Sequence, residues 1–361
     1  MSSRIPVRAL ATAAALLTST ALLVGCSATP GASNGGDDDN KTIVVSTFPF
    51  GVDEVTKAII TPFEKATGYK VEVDTGSNSE RLSKLELNGK RAGADVMLIS
   101  DYYAALGQSK NLFQKVDEAQ LPNLAKIAVF AKEKQYDGPA YSYQLNGMLY
   151  RTDKLDEATA AKWDMFGDAA YKGKLALPDF SVTAGQLTVS GVAESVGKDA
   201  YDVDAAFKTL GEWAPGVLQF YKSSTEVTNL LLQGEIVNAP ALSGFATSLV
   251  EAGEPIAWTP PATGKFMATN RAMIPANAEN VKGAHAFINY LLGAEAQTSS
   301  AKIVGDLPVN PEASVPENLT KIVGQAATDP IGAGYKTLDI SVIVKNRTEW
   351  TDRFAREVAT R

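Results

Sequence analysis

The amino-acid sequence predicts an α/β fold built from two blocks of alternating strands and helices. Short apolar segments of strand length alternate with helical segments of about 10–15 residues, the pattern of βαβ units around a parallel sheet. This alternation runs along the chain twice, with a break near its middle. The 361 residues, of which 45% are apolar and 21% charged, suit a soluble protein with two domains of ordinary size.

The first block begins at 41–47, where an apolar run predicts a buried strand. Val55, Ile59 and Phe63 recur at helical spacing, which predicts a helix over 52–67. The remaining elements of this block are predicted strands at 70–74 and 95–100 and predicted helices at 79–88 and 102–110.

The second block repeats the alternation, and its junctions with the first are expected near 141–146 and 260–265. We expect its strands at 175–178, 236–241, 255–259 and 265–274, and its helices at 185–195, 205–213, 225–233, 244–252 and 283–292. The last stretch, 317–361, is predicted to be mostly helical.

The amino terminus is predicted to carry an export signal. Arg4 and Arg8 precede an apolar run that ends in LVGC at 23–26, and this arrangement is typical of a secretory signal rather than a spanning helix. Because LVGC resembles the bacterial lipobox, we expect removal of 1–25 and lipidation of Cys26, the single cysteine, which would anchor an exported protein to the outer face of the cell membrane. An ordinary signal with a chance cysteine is the alternative. Residues 26–40 are rich in Gly, Ser and Asp, which predicts a flexible tether.

Charge and motif content argue against several functions. The net charge is −7 with no basic block, so that binding to a nucleic-acid backbone is not expected. The single histidine, His285, lies on an apolar helix face, where a structural role is expected. The sequence carries neither a Walker loop nor a dinucleotide fingerprint. We therefore predict a protein that is not an enzyme and needs no cofactor or metal.

Several segments resemble one family over nearly the whole of 41–350. They are PFEKATG at 62–68, SNSE at 77–80, SDYY at 100–103 and MIPANAEN at 273–280. These segments are similar to the extracellular solute-binding proteins of ABC importers, specifically the spermidine/putrescine-binding group.

The resemblance implies a two-lobed, type II periplasmic-binding-protein-like fold whose ligand cleft lies between lobes joined by two crossover segments. We assign 41–142 and 266–308 to lobe 1 and 143–265 and 309–361 to lobe 2. The implied function is capture of a small polar solute, with a polyamine such as spermidine or putrescine favoured, and its delivery by a monomer to the membrane permease. The alternatives are an anionic or zwitterionic solute, such as an aminophosphonate or phosphate ester, or ferric ion.

The resemblance also implies cleft residues at the ends of predicted strands. Ser100 and Tyr102 match the family's S-x-Y segment, with Tyr103 expected to point elsewhere. Asp101 is expected either to bind an ammonium group or to cap the helix that follows it. Further expected ligand-binding positions are Thr47, Phe48, Asp179, Ala241, Asn270 and Asp306. Asn270 aligns with an acid of the family, and Pro240 or Ala241 aligns with a tryptophan. Arg271 is expected to face away from the cleft.

A second group of candidates consists of small polar residues that precede predicted helices. They are Ser77, Asn78, Ser181, Thr183 and Ser243. Helix amino termini with nearby hydroxyl groups suit an anion, which keeps the anionic and zwitterionic alternatives open. Each of these residues also has a simpler role as the cap of its own helix.

Overall fold

The protein is described from a computed structural model that covers residues 41–49, 51–89 and 93–360. The predicted signal peptide, Cys26 and the predicted tether at 26–40 lie outside the described residues and stay predictions. Within the described ranges, no helix combines the length and the apolar character needed to cross a bilayer.

Strands and helices alternate along the chain largely as predicted. The strands are β1 (Thr42–Thr47), β2 (Lys70–Thr75), β3 (Val96–Ser100), β4 (Phe113–Gln114), β5 (Ala140–Arg151), β6 (Ala176–Pro178), β7 (Gln219–Tyr221), β8 (Asn238–Leu242), β9 (Ile256–Thr259), β10 (Phe266–Pro275), β11 (Leu307–Pro308) and β12 (Lys336–Thr337). The helices are α1 (Val52–Val55), α2 (Thr61–Thr67), α3 (Asn78–Asn88), α4 (Asp101–Ser109), α5 (Glu157–Ala160), α6 (Thr183–Ser195), α7 (Val203–Trp213), α8 (Ser224–Leu232), α9 (Ala246–Glu251), α10 (Val281–Leu291), α11 (Ala294–Ile303), α12 (Glu317–Val323) and α13 (Ile340–Phe354). A π-helical turn, Thr56–Ile60, joins α1 to α2.

The main sheet is mixed rather than purely parallel. Its central order is β11-β5-β10-β3-β1-β2, in which β2 and β3 run parallel to β1 while β10 runs antiparallel to both β3 and β5. The parallel part follows from the predicted βαβ units of the first block. Strand β10 lies far along the sequence yet completes this sheet, and all but one of its ten residues are buried.

One long strand, β5, runs through the predicted junction at 141–146. Its first half pairs with β10 and β11, and its second half, from Asn146 onwards, pairs with β8 and β9. The second predicted junction, at 260–265, is a segment without regular structure between β9 and β10. Gly147 lies next to this change of partner. It must be glycine for Trp258 to pack there, because a Cβ at this position would lie 2.2 Å from the Trp258 ring.

The second block contributes its own small parallel sheet, formed by β6 and β7. An aromatic cluster covers it, in which Phe180 and Phe207 pack against Phe354 near the end of α13. Another part of α13 packs against α4, where Arg347 lies over the ring of Tyr102. Helix α13 therefore contacts both blocks.

Candidate functional site

A cavity of about 460 Å³ opens where the carboxyl ends of several strands meet the starts of helices. One wall is formed by the ends of β1 and β3, the start of α3 and the middle of β5 and β10. The opposite wall is formed by the start of α6 and the segment that joins β7 to α8. Ligands of open α/β sheets gather at such strand ends, and the volume suits a small molecule.

Of the predicted ligand-binding residues, the structure brings one group to this cavity and leaves another group outside it. Those that line the cavity are Thr47, Phe48, Ser77, Asn78, Ser100, Ser181, Thr183, Asn270 and Asp306. Those outside its lining are Asp101, Tyr102, Asp179, Ala241 and Ser243.

Asp101 and Tyr102 are both buried behind the cavity wall. The Asp101 carboxylate accepts hydrogen bonds from the backbone N–H groups of Tyr102 (2.7 Å) and Thr269 (2.8 Å), so that it joins the start of α4 to β10. Its alternative prediction, a structural role at the start of the helix, fits these contacts. Tyr102 is fully buried and packs edge to face on Tyr103. Tyr103, and not Tyr102, lines the cavity.

The other three residues outside the lining support the site from behind. Asp179 accepts hydrogen bonds from both the N–H and the hydroxyl of Ser181 (2.9 and 2.5 Å). The Ser243 hydroxyl accepts a hydrogen bond from the Leu145 N–H (3.2 Å). Ala241 is fully buried in β8. The hydrogen bonds of Asp179 and Ser243 are therefore made within the protein, outside the cavity lining.

Asp306 is the single acidic residue among the described residues that line the cavity. Its carboxylate accepts a hydrogen bond from the Ser300 hydroxyl (2.7 Å), and the structure gives it no ion pair with a described lysine or arginine. Burial raises the pKa of this carboxyl, while hydrogen bonds from Ser300 and Ser142 oppose the rise. An ammonium group in the cavity would supply the counter-charge that Asp306 lacks.

Two other polar atoms of the lining differ from Asp306 in that they are buried without any hydrogen-bond partner in the described part of the chain. They are the Ser100 hydroxyl, at the end of β3, and the side-chain oxygen of Gln144, on β5. A buried polar group that lacks a partner costs about 1–3 kcal/mol, so each of these atoms favours a polar ligand. Asn78 is held nearby because its side-chain oxygen accepts hydrogen bonds from Arg81 (3.1 Å) and from the Ser100 N–H (3.4 Å).

Arg81 holds the strand ends together beneath this wall. Its guanidinium donates to the backbone oxygens of Ser46 (3.1 Å) and Leu98 (2.9 Å) and lies 5.0 Å from the centre of the Phe48 ring. Burial lowers the pKa of this guanidinium to about 10. Arg81 therefore fixes the ends of β1 and β3, from which Thr47 and Ser100 reach the cavity.

Sequence reasoning missed the basic residue of the opposite wall. Lys222 directly follows β7, and its ammonium lies 4.0 Å from an oxygen of Asp179. No side chain caps the amino terminus of α6, and its first residues, Thr183 and Ala184, line the cavity. A lysine placed between a strand end and a serine-capped helix was the available signal.

His285 and Arg271 both lie outside the cavity lining. His285 is buried, accepts a hydrogen bond from the Asp117 N–H (2.9 Å) and lies 2.8 Å from the Val281 carbonyl oxygen, so both ring nitrogens have backbone partners. Arg271 faces away from the cavity, as expected, and pairs with Glu133. Among the described residues, no cluster of three His, Cys, Asp or Glu side chains is placed to hold a metal ion.

Comparison with known proteins identifies similar chains over most of the length. Residues 58–326 match the sequence profile described as bacterial extracellular solute-binding protein. The chain is 27% identical to the spermidine/putrescine-binding periplasmic protein of Escherichia coli, with 80% of this chain and 82% of the relative covered. It is 26% identical to spermidine/putrescine-binding periplasmic protein 1 of Haemophilus influenzae, with 87% and 84% covered.

Solved structures give the same picture of the fold. An ABC transporter protein from Clostridium perfringens is 29% identical and superposes with a TM-score of 0.74, covering 88% of this chain and 99% of that one. A spermidine/putrescine ABC transporter substrate-binding protein from Streptococcus pneumoniae is 21% identical, with a TM-score of 0.71 and coverage of 87% and 98%. The predicted two-lobed α/β fold of periplasmic binding proteins is confirmed by these structures.

Proposed function

Because this chain belongs to the family of bacterial extracellular solute-binding proteins, we propose that its cavity captures a small polar solute that carries an ammonium group. The observation that carries the proposal is Asp306, a cavity-lining carboxylate that has a hydroxyl partner but no cationic partner among the described residues. A cation bound there gains a charge-assisted hydrogen bond and removes the cost of an unpaired buried charge.

Aromatic rings complete the environment for an amine. Phe48, Tyr103, Tyr141 and Phe245 line the cavity. A cation over the face of such a ring gains about 0.5–2 kcal/mol, and the same faces pack against methylene groups. Spermidine and putrescine, for which the curated relatives are named, are the first candidate solutes.

We further propose that the solute is handed to the permease of an ABC importer, in keeping with the names of the similar solved structures. In this proposal the lobes comprise 41–142 with 266–308 and 143–265 with 309–361, and they close on the solute. Strand β5 serves as one crossover, because it changes sheet partners at Asn146. A lipid on Cys26 holds the exported protein at the membrane, and the protein acts without catalysis.

The test of this proposal starts from the solute itself. Native mass spectrometry of the purified protein should find a small amine bound, and a library of polar metabolites should contain amines that raise the melting temperature. A ligand at about 100 times its Kd adds about 2.7 kcal/mol of stability. A library in which every amine leaves the melting temperature unchanged, or turnover of a solute by the protein, would overturn the proposal.

A further inference from the structure

The charged groups of the cavity are divided between its two walls. Asp306 directly precedes β11, which pairs with β5 in the main sheet. Lys222 directly follows β7, which belongs to the separate β6–β7 sheet. Among the described lining residues, Asp306 is the one acid and Lys222 the one base. The walls therefore present opposite charges.

The wall that carries Lys222 is also rich in hydrogen-bond donors. Helix α6, which spans 13 residues, begins at Thr183 without a side-chain cap, and its first residues line the cavity. The uncapped N–H groups and the helix dipole both favour an anion at this end. The start of α8 is different, because the Ser223 hydroxyl and the Glu226 carboxylate already accept its nearby N–H groups. An anion would therefore sit by α6 and Lys222.

Asp179 is the competing partner of Lys222. It lies outside the cavity lining, and its oxygen is 4.0 Å from the lysine ammonium, at the limit for an ion pair. Its other oxygen accepts both hydrogen bonds from Ser181. The side chain of Lys222 is 72% exposed, so its ammonium stays available to a ligand.

Ser100 gives independent support for a polar ligand in this cavity. Its hydroxyl lines the cavity from the end of β3, is 4% exposed and has no partner among the described residues. We infer that the physiological solute is a zwitterion, with an ammonium group at Asp306 and a carboxylate or phosphonate at Lys222 and the start of α6. This inference rests on the proposed function and narrows its solute class. A diamine would instead place its second ammonium against Lys222, where like charges repel.

Calorimetry with matched solutes tests this inference. The panel is putrescine, 4-aminobutyrate, 2-aminoethylphosphonate and butyrate, titrated into the wild type, Lys222→Met and the control Lys198→Met, whose lysine is exposed and outside the cavity lining. At least one zwitterion should bind at least about tenfold more tightly than putrescine and butyrate, and Lys222→Met should weaken it about tenfold, since a hydrogen bond between charged groups contributes at least that much. Lys198→Met should leave its affinity unchanged.

The outcomes separate this inference from the proposed function. Three results would overturn the inference that the solute is a zwitterion but would leave the proposed amine site intact. They are tighter binding of putrescine than of either zwitterion, unchanged zwitterion affinity in Lys222→Met, and a bound library amine that has no acidic group. If neither the panel nor the library binds, both fail. Comparison of 4-aminobutyrate with 2-aminoethylphosphonate then distinguishes a carboxylate from a phosphonate head group.

Discussion

The carboxylate of Asp101 accepts a hydrogen bond from the backbone N–H of Thr269 across 2.8 Å, although 168 residues separate them. This contact joins the start of α4 to β10 behind the cavity. We predict that Asp101→Asn, which puts an amide donor beside these N–H groups, lowers the free energy of unfolding by about 1–3 kcal/mol. Solute affinity should change little. Urea denaturation measures the first effect and calorimetry the second; a stable variant that has lost affinity would instead place Asp101 in the site.

Substitution of Tyr102 should affect mainly the stability of the protein, and substitution of Tyr103 should affect mainly solute binding. Tyr102 is fully buried under Arg347, whose guanidinium carbon is 4.7 Å from the ring centre, so Tyr102→Ala should cost about 3–5 kcal/mol of stability. Tyr103 is half-buried and lines the cavity, so Tyr103→Ala should cost less stability and weaken an amine by up to about tenfold. Melting curves and titrations of both variants check this, and the opposite assignment of the two effects would contradict it.

Arg271 provides a test of a buried ion pair outside the site. It is fully buried, pairs with Glu133 and stacks 3.3 Å from the centre of the Tyr136 ring. Glu133→Gln should destabilise the protein by about 3–5 kcal/mol, because the fully buried guanidinium of Arg271 loses its anionic partner. Lys84→Met, which breaks an exposed pair with Asp74, is the matched control and should cost about 0–1 kcal/mol. Equal losses of unfolding free energy in chemical denaturation would contradict the claim that burial determines how much each ion pair contributes to stability.

We predict that the titration of Asp306 changes the stability of the protein and its affinity for an amine in opposite directions. Because burial raises its pKa in the folded state, its contribution to the stability of the solute-free protein is fully present below the unfolded-state pKa of about 3.9 and is lost as pH rises through the raised folded value. Amine affinity should change in the other direction, since acidification through the raised value protonates the carboxylate. Comparison of the wild type with Asp306→Asn isolates this contribution from that of Asp101, whose pKa burial also raises. Parallel pH profiles for the two proteins would contradict it.

The sequence predicted the elements around the site better than the side chains within it. The strand at 95–100 and the helix after it are confirmed, but α4 begins at Asp101, which turns Tyr102 into the core and Tyr103 towards the cavity. A shift of one residue at a helix start rotates each later side chain by about 100°, and local pattern does not resolve such a shift.

Long-range partners limited the remaining predictions. The strand β5, which runs through the predicted junction at 141–146, was not predicted, because its pairing depends on β10 and β8, which lie about a hundred residues away. Helix α11 was not predicted, although it carries Ser300, the hydroxyl partner of Asp306. Lys222 was not predicted as a site residue because its place in the cavity lining depends on the tertiary fold, which no local sequence pattern shows.

The most direct test of the account is a calorimetric titration of Asp306→Asn with putrescine and with 4-aminobutyrate, beside the wild type and the control Asp164→Asn, an exposed acid outside the cavity lining. The amine that binds the wild type should bind Asp306→Asn at least about tenfold more weakly, because the charge-assisted hydrogen bond is lost, and should bind Asp164→Asn unchanged. Equal affinity of the wild type and Asp306→Asn for that amine would contradict the claim that this carboxylate selects the solute.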